Sequence, residues 1–117
     1  MTNKDNHRKV GAFYEELAAN YMQEHDMIIL EMNYRCKQGE IDIIARDKEY
    51  LVIAEVKYRS NLKSGYPAEA VTAAKQRRIY RAAQYYLYSH GLPETTKIRF
   101  DVIAILKGDI TYIKDAF

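Results

Sequence analysis

Two stretches of the chain repeat apolar residues every three to four positions, and the stretches around them alternate. Val10, Phe13, Tyr14, Leu17, Ala18, Tyr21 and Met22 fall on one face of a helix. Residues 1–6 read as a frayed end, Asp5 or Asn6 suits the cap, and the helix is expected to run to about His25. Ile79, Ala82, Ala83, Tyr86, Leu87 and His90 repeat the spacing and predict a second helix from Ala73 to about His90. Thr72 is its N-cap, Gly91 suits the position after it, and Pro93 blocks continuation. Met27 to Tyr34 alternates Ile28, Leu30, Met32 and Tyr34 against Ile29, Glu31 and Asn33, as a strand does. A polar turn, residues 35–39, leads into Gly39–Arg59, which reads as two strands joined by Asp47-Lys48-Glu49. Lys97 to Leu106 is another strand, and Lys107-Gly108-Asp109 turns the chain into a last one, Ile110 to Ile113.

The central hairpin is apolar on both sides. Ile41, Ile43 and Ala45 are expected to share one face, with Glu40, Asp42 and Ile44 on the other. On its partner, Val52, Ala54, Val56 and Tyr58 oppose Leu51, Ile53, Glu55 and Lys57. Strands apolar on both faces belong in a sheet covered on both sides, with the acidic residues at a rim. Three strands, a helix and a returning strand predict an antiparallel meander joined by a crossover. The expected fold is α/β, a mixed β-sheet of about five strands flanked by helices, in a single domain, residues 1–117. Residues 61–67 read as a loop beside the hairpin, and 68–71 as a short helical turn.

Within the hairpin, carboxylates stand where a sheet wants hydrophobes. Glu55 and Lys57 flank Val56 and must point the same way, and Asp42 falls opposite that end of the partner strand. Two converging carboxylates repel unless a cation relieves them. An Asp, a Glu-x-Lys and Mg²⁺ or Mn²⁺ supply what metal-assisted phosphodiester hydrolysis needs, with Lys57 holding a water or a phosphate oxygen. An ordinary cross-strand Asp/Lys pair on a half-exposed hairpin accounts for the same spacing. Glu15 adds a third carboxylate if the first helix packs beside the hairpin.

Charge changes the picture through its distribution. The 117 residues carry a net +2, but the window from Lys57 to Arg81 holds seven basic residues against Glu69, a net +6, leaving −4 elsewhere. A basic half beside an acidic cluster suits a metal site that receives a polyanion. Lys75, Arg78 and Arg81 stand at i, i+3 and i+6, off the apolar face of the second helix. Tyr80, Tyr85 and Tyr88 add aromatics there, for packing or for stacking on bases. His7, His25 and His90 have no metal-ligand spacing, and the single Cys36 excludes an internal disulfide and a cysteine-cluster zinc site. No apolar run approaches a membrane span, and the polar N-terminus lacks a signal-peptide core, so a cytoplasmic protein with no membrane partner is expected.

The segments Glu15-Glu16-Leu17-Ala18-Ala19, Asn33-Tyr34-Arg35, Gly39 to Ala45, Glu55 to Arg59, Ala70-Val71 through Lys75, Arg99 to Val102 and Ala116-Phe117 together resemble the YraN-like bacterial family over nearly the whole chain. That family looks like the PD-(D/E)XK nuclease superfamily and is similar in outline to archaeal Holliday-junction resolvases. The resemblance implies a restriction-endonuclease-like core, with Asp42, Glu55 and Glu15 as metal ligands and Lys57 as the catalytic lysine beside the catalytic Asp42 and Glu55. Lys75 matches the family's lysine on the second helix, a phosphate contact. Tyr14 departs from the pattern, which has Gly before the helix glutamate, whereas Gly11 matches it.

The expected function is a Mg²⁺- or Mn²⁺-dependent endonuclease acting on DNA, including branched or structured DNA. Arg59, Lys75, Arg78 and Arg81 would bind backbone phosphates. The alternatives are a nucleic-acid-binding or scaffolding module that keeps the fold without turnover, and a domain that docks an acidic protein on the basic helix. Cutting both strands of a junction takes two sites, so a homodimer is compatible with the resolvase likeness, though no segment marks an interface.

Overall fold

A computed structural model describes residues 3–61 and 71–117, with side chains from Arg8 onward, and its elements follow in the order the spacing predicts. These are α1 (Asn3–Glu24), β1 (Ile28–Cys36), β2 (Gly39–Asp47), β3 (Tyr50–Arg59), α2 (Ala73–Ser89), β4 (Ile98–Leu106) and β5 (Asp109–Ile113). Helix α1 begins earlier than a cap at Asp5 or Asn6 allows, and β1 runs two residues beyond Tyr34. Most of the loop predicted at 61–67, and the turn at 68–71 up to residue 70, lie outside the described residues, as do Lys63 and Glu69.

The five strands form one mixed sheet in the order β1-β2-β3-β4-β5. The first three are an antiparallel meander, β4 returns parallel to β3 through the α2 crossover, and β5 is antiparallel to β4. On one face, Ala18, Ala19 and Met22 of α1 pack on Ile43, Ala45, Val52, Ala54, Ile103 and Ile105. On the other, Ile79, Ala82, Ala83, Tyr86 and Leu87 of α2 pack on Tyr34, Ile41, Ile44, Leu51 and Ile53. The fold is therefore α/β with a helix on each face, and the apolar double-sided strands are its reason. Ile53 is fully enclosed, so Ile53→Val should lower stability by about 1 kcal/mol in urea unfolding.

Three expectations about faces need correction. Val10 and Phe13 are 45% and 58% exposed, because the first turns of α1 run past the stretch that packs on the sheet. Ile28 and Leu30 are exposed, because β1 is an edge strand with a register shift between Ile29 and Glu31. Ile41 joins the α2-side core with Ile44, apart from Ile43 and Ala45. The alternation slips at Asp42, where β2 leaves β3: their pairing starts only at Ile43↔Ala54. Across β1, the pairs Met32↔Ile43 and Tyr34↔Ile41 flank Asn33 and Asp42, and Asn33 has a left-handed φ of 54°.

The far end of the sheet is pinned by a buried ionic network. Asp101, fully enclosed on β4, accepts from Arg99 Nε at 3.0 Å and Nη2 at 2.9 Å, from the Tyr112 hydroxyl at 2.5 Å and from the Asp115 N–H at 2.9 Å. Arg99 Nη1 also meets Asp47 at 2.9 Å. These bonds hold the Arg99 pKa above its ordinary value, the Asp101 pairing being the main cause. The network ties β5 and the β2–β3 turn to β4, so that end of the hairpin is fixed.

Candidate metal and nucleic-acid site

The site forms where β2 parts from β3. Freed from the ladder, the Val56 N–H donates to Asp42 Oδ2 at 2.8 Å, so a side chain replaces the missing strand partner. Glu55 and Lys57 share a strand face, as the period of two requires. Glu55 is only 4% exposed, and its Oε1 meets Lys75 Nζ at 2.6 Å and Lys57 Nζ at 3.6 Å. Thr72 fixes the start of α2, and with it Lys75, by accepting the Lys75 N–H at 3.2 Å. A cavity of about 290 Å³ lies between α2 and the start of β2, walled by Glu40, Asp42, Glu55, Lys75 and Arg78. Gly39 lets the two elements approach, since a Cβ there would stand 3.3 Å from the Arg78 carbonyl oxygen and its φ is +156°.

Burial and crowded charge move Asp42, Lys57 and Lys75 off their ordinary pKa values. Burial pushes the Asp42 carboxyl up to about 7, the Glu55 charge adds to the rise, and the Val56 hydrogen bond opposes it. Burial lowers Lys57, and the Lys75 ammonium beside it lowers it further. For Lys75, burial works downward, but its hydrogen bonds to Glu55 and Lys57 outweigh that and raise it. Lys75 is thus the cation that holds Glu55, and Lys57 is the amine more ready to give up its proton.

Lys75 therefore turns inward, away from the strip of Arg78 and Arg81 to which the helical spacing assigned it. Its loss would leave Glu55 buried with only the looser Lys57 contact, 3.6 Å away. Lys75→Ala should lower the melting temperature by an amount corresponding to about 1–3 kcal/mol, the pair being partly solvent-screened. Chemical denaturation in EDTA at neutral pH checks this.

The donor set fits a hard divalent cation. Mg²⁺ keeps several waters and binds through one or two carboxylates, and Asp42 and Glu55 are such a pair, with Asp42 already burdened by the charge of Glu55. Among the described residues, no three His, Cys, Asp or Glu side chains are grouped to hold a metal ion.

A model of the uncharacterised protein family UPF0102 matches residues 14–105. The chain belongs to that family. A UPF0102 protein of Lachnoclostridium phytofermentans is 53% identical over 112 residues, covering 96% of this chain and 95% of the relative. One from Clostridium botulinum is 43% identical over 121 residues, covering 98% and 95%. The likeness read from the motifs thus holds at the level of the family.

The matched UPF0102 region includes Glu15, but the helix does not carry that residue into the cavity. Glu15 lines a separate shallow cleft over β1 with Gln23, Met32 and Asn33. Burial raises its pKa, a hydrogen bond from Asn33 works against the rise, and the Glu55 charge adds to it, so its field reaches the site. Its Oε2 is buried without a hydrogen-bond partner among the described residues. Tyr14, the departure from the family pattern, stacks on Tyr58 with centroids 4.3 Å apart and 16° between planes, which docks α1 on the end of β3. Arg59 is half-buried, donating from Nη1 to the Tyr58 carbonyl at 2.9 Å. Arg78 and Arg81 are exposed. No described helix is long and apolar enough to cross a membrane.

Sequence reasoning missed two features. The inward turn of Lys75 was hidden because it depends on where the crossover lands α2, and the only signal was the Thr72 cap three residues earlier. The left-handed turn of the backbone at Asn33, between the pairs Met32↔Ile43 and Tyr34↔Ile41, has no local signal in the alternation of β1.

Proposed function

We propose that this UPF0102 protein is a metal-dependent endonuclease acting on DNA. The observation that carries the reading is the convergence of Asp42, Glu55 and Lys57 at the point where β2 leaves β3, beside a cavity whose other wall is the basic start of α2. Asp42 and Glu55 would hold Mg²⁺ or Mn²⁺, and Glu15 would act on them through its charge or through its orphaned oxygen. When bound, the metal supplies Lewis-acid stabilisation of the phosphate and a more acidic water. Lys57, with its lowered pKa, would orient an attacking water or take its proton. Arg78 and Arg81 offer cations to the backbone phosphates on the solvent side, and Arg59 does so at the end of β3.

A second reading is favoured by one contact. Lys75 sits 2.6 Å from Glu55 and already neutralises it, as would suit a nucleic-acid-binding module that keeps the fold without turnover. The two readings separate when the purified protein is incubated with labelled four-way-junction, flap, single-stranded and linear duplex DNA in Mg²⁺ and in Mn²⁺. Cleavage that EDTA abolishes, with a Mn²⁺-dependent rise in melting temperature, supports the nuclease. No cutting of any substrate and no thermal response to Mn²⁺ overturns it.

A further inference from the structure

Helix α2 contains Lys75, Arg77, Arg78 and Arg81 and no acidic residue. Its apolar side is taken up by Ile79, Ala82, Ala83, Tyr86 and Leu87. Of the tyrosines on the rest of the helix, Tyr80 leans on Phe100 at 4.6 Å and on Phe117, so it belongs to the packing. Tyr85 and Tyr88 do not. They are 42% and 83% exposed, and their rings lie beside each other with centroids 6.5 Å apart.

Arg78, Arg81, Tyr85 and Tyr88 follow at i, i+3, i+7 and i+10, which is one stripe along a helix. The stripe joins two cavities. Arg78 walls the one that holds Asp42 and Glu55. Tyr88 walls a larger cleft of about 770 Å³ at the other end of α2, floored by Leu87, Leu92 and Ile98. The distance along the axis between the two residues is about 15 Å. Neither ring belongs to either core, which leaves ring surface on both open to a partner. Two arginines followed by two flat aromatic faces, beside a cleft whose apolar floor is edged by Gln84 and Glu94, are the chemistry of a single-stranded polynucleotide: cations for phosphates, rings for unstacked bases. Duplex DNA keeps its bases stacked and would leave the rings idle.

We propose that the Arg78–Arg81–Tyr85–Tyr88 stripe binds a single-stranded DNA segment and leads it to the Asp42/Glu55 cavity. A base stacks on Tyr88 in the cleft, the next on Tyr85, and the phosphates run past Arg81 and Arg78. This rests on the reading of the cavity as a DNA site, and it narrows the substrate to DNA with an unpaired arm, such as a flap, tail or opened junction.

The test is fluorescence anisotropy in EDTA, so that cleavage plays no part, with a labelled oligothymidylate and a labelled blunt duplex. The wild type should prefer the single strand. The double variant Tyr85→Ala/Tyr88→Ala should bind the single strand about 10- to 100-fold more weakly and lose the preference. Tyr85→Phe/Tyr88→Phe, which keeps the rings, should stay within about twofold of wild type. Arg78→Gln/Arg81→Gln should flatten the dependence of affinity on salt. Circular dichroism of each variant establishes that it folds. A double alanine variant that binds like wild type, or weakens equally on both DNAs, overturns the proposal, as does a wild type that prefers the duplex or binds neither. A protein that binds through the tyrosines yet cuts nothing in Mg²⁺ or Mn²⁺ supports the stripe and removes the nuclease. One that cuts duplex and ignores the tyrosine changes does the opposite.

Discussion

Lys57→Ala should reduce the proposed metal-dependent DNA cleavage by about 10²- to 10³-fold while leaving the protein folded, because on the nuclease reading the lost amine would act on charge that develops only as the phosphodiester breaks. The side chain is half-buried, its pKa is lowered by burial and by Lys75, and its contact with Glu55 is loose at 3.6 Å. A loosely paired amine beside a carboxylate pair is well placed to receive a proton from water or to donate to a non-bridging oxygen. Lys57→Arg separates the two roles. Arginine stays charged, so it should restore activity if Lys57 stabilises negative charge, and should fail if Lys57 moves a proton. Asp42→Asn should abolish cleavage to a similar extent by removing a metal ligand, and should also abolish the Mn²⁺-dependent thermal shift, which Lys57→Ala should keep. Single-turnover rates on the DNA structure the wild type cuts best are the measurement. If both variants cleave at the wild-type rate, the chemistry lies elsewhere in the molecule and the assignment of this cavity is wrong.

Period carried most of the fold. The 3-1-3-1 repeat around Ile79 and Tyr86 marks the buried face of α2, and the double-sided apolar runs of β3 and β4 require helices on both faces. The sequence also brings Glu55 and Lys57 to one side and Asp42 opposite them, because strand alternation and a hairpin turn are local rules. What it could not supply depends on where strands stop pairing. Ile41 changes face because β2 leaves β3 before Ile43, and that departure frees the Val56 N–H for Asp42. Lys75 meets Glu55 only because the crossover brings the start of α2 back over the β2–β3 opening, a long-range fact with no local trace beyond the Thr72 cap. The same holds for Asp101, which reads as one more polar residue on an alternating strand until Arg99, Tyr112 and the Asp115 N–H converge on it.

Without metal, stability should fall as pH rises from about 4 to about 7, and Asp42 should account for much of the loss. Its carboxyl titrates near 3.8 when exposed and is pushed up to about 7 in the fold, chiefly by burial and then by Glu55. Between those values the folded chain holds a proton that the unfolded chain has released, so each step up in pH favours unfolding. The whole shift corresponds to a loss on the order of 4 kcal/mol, complete above about pH 7. Glu15, also raised, acts in the same direction. Other groups titrate over this range too, so the comparison that isolates Asp42 is with Asp42→Asn, whose amide oxygen can still accept the Val56 N–H. The variant should match wild type near pH 4 and exceed it by a few kcal/mol near pH 8, in urea unfolding with EDTA present. Mn²⁺ at pH 8 should close that gap by stabilising wild type alone. A difference between the two proteins that stays constant from pH 4 to pH 8 counts against a buried, metal-ready Asp42. A buried Asp42 that destabilises its own fold at neutral pH is what the proposed cation site would show before the cation arrives. A module selected only to bind DNA would gain stability by exchanging Asp42 for a neutral residue, so the pH dependence bears on function as well as on folding.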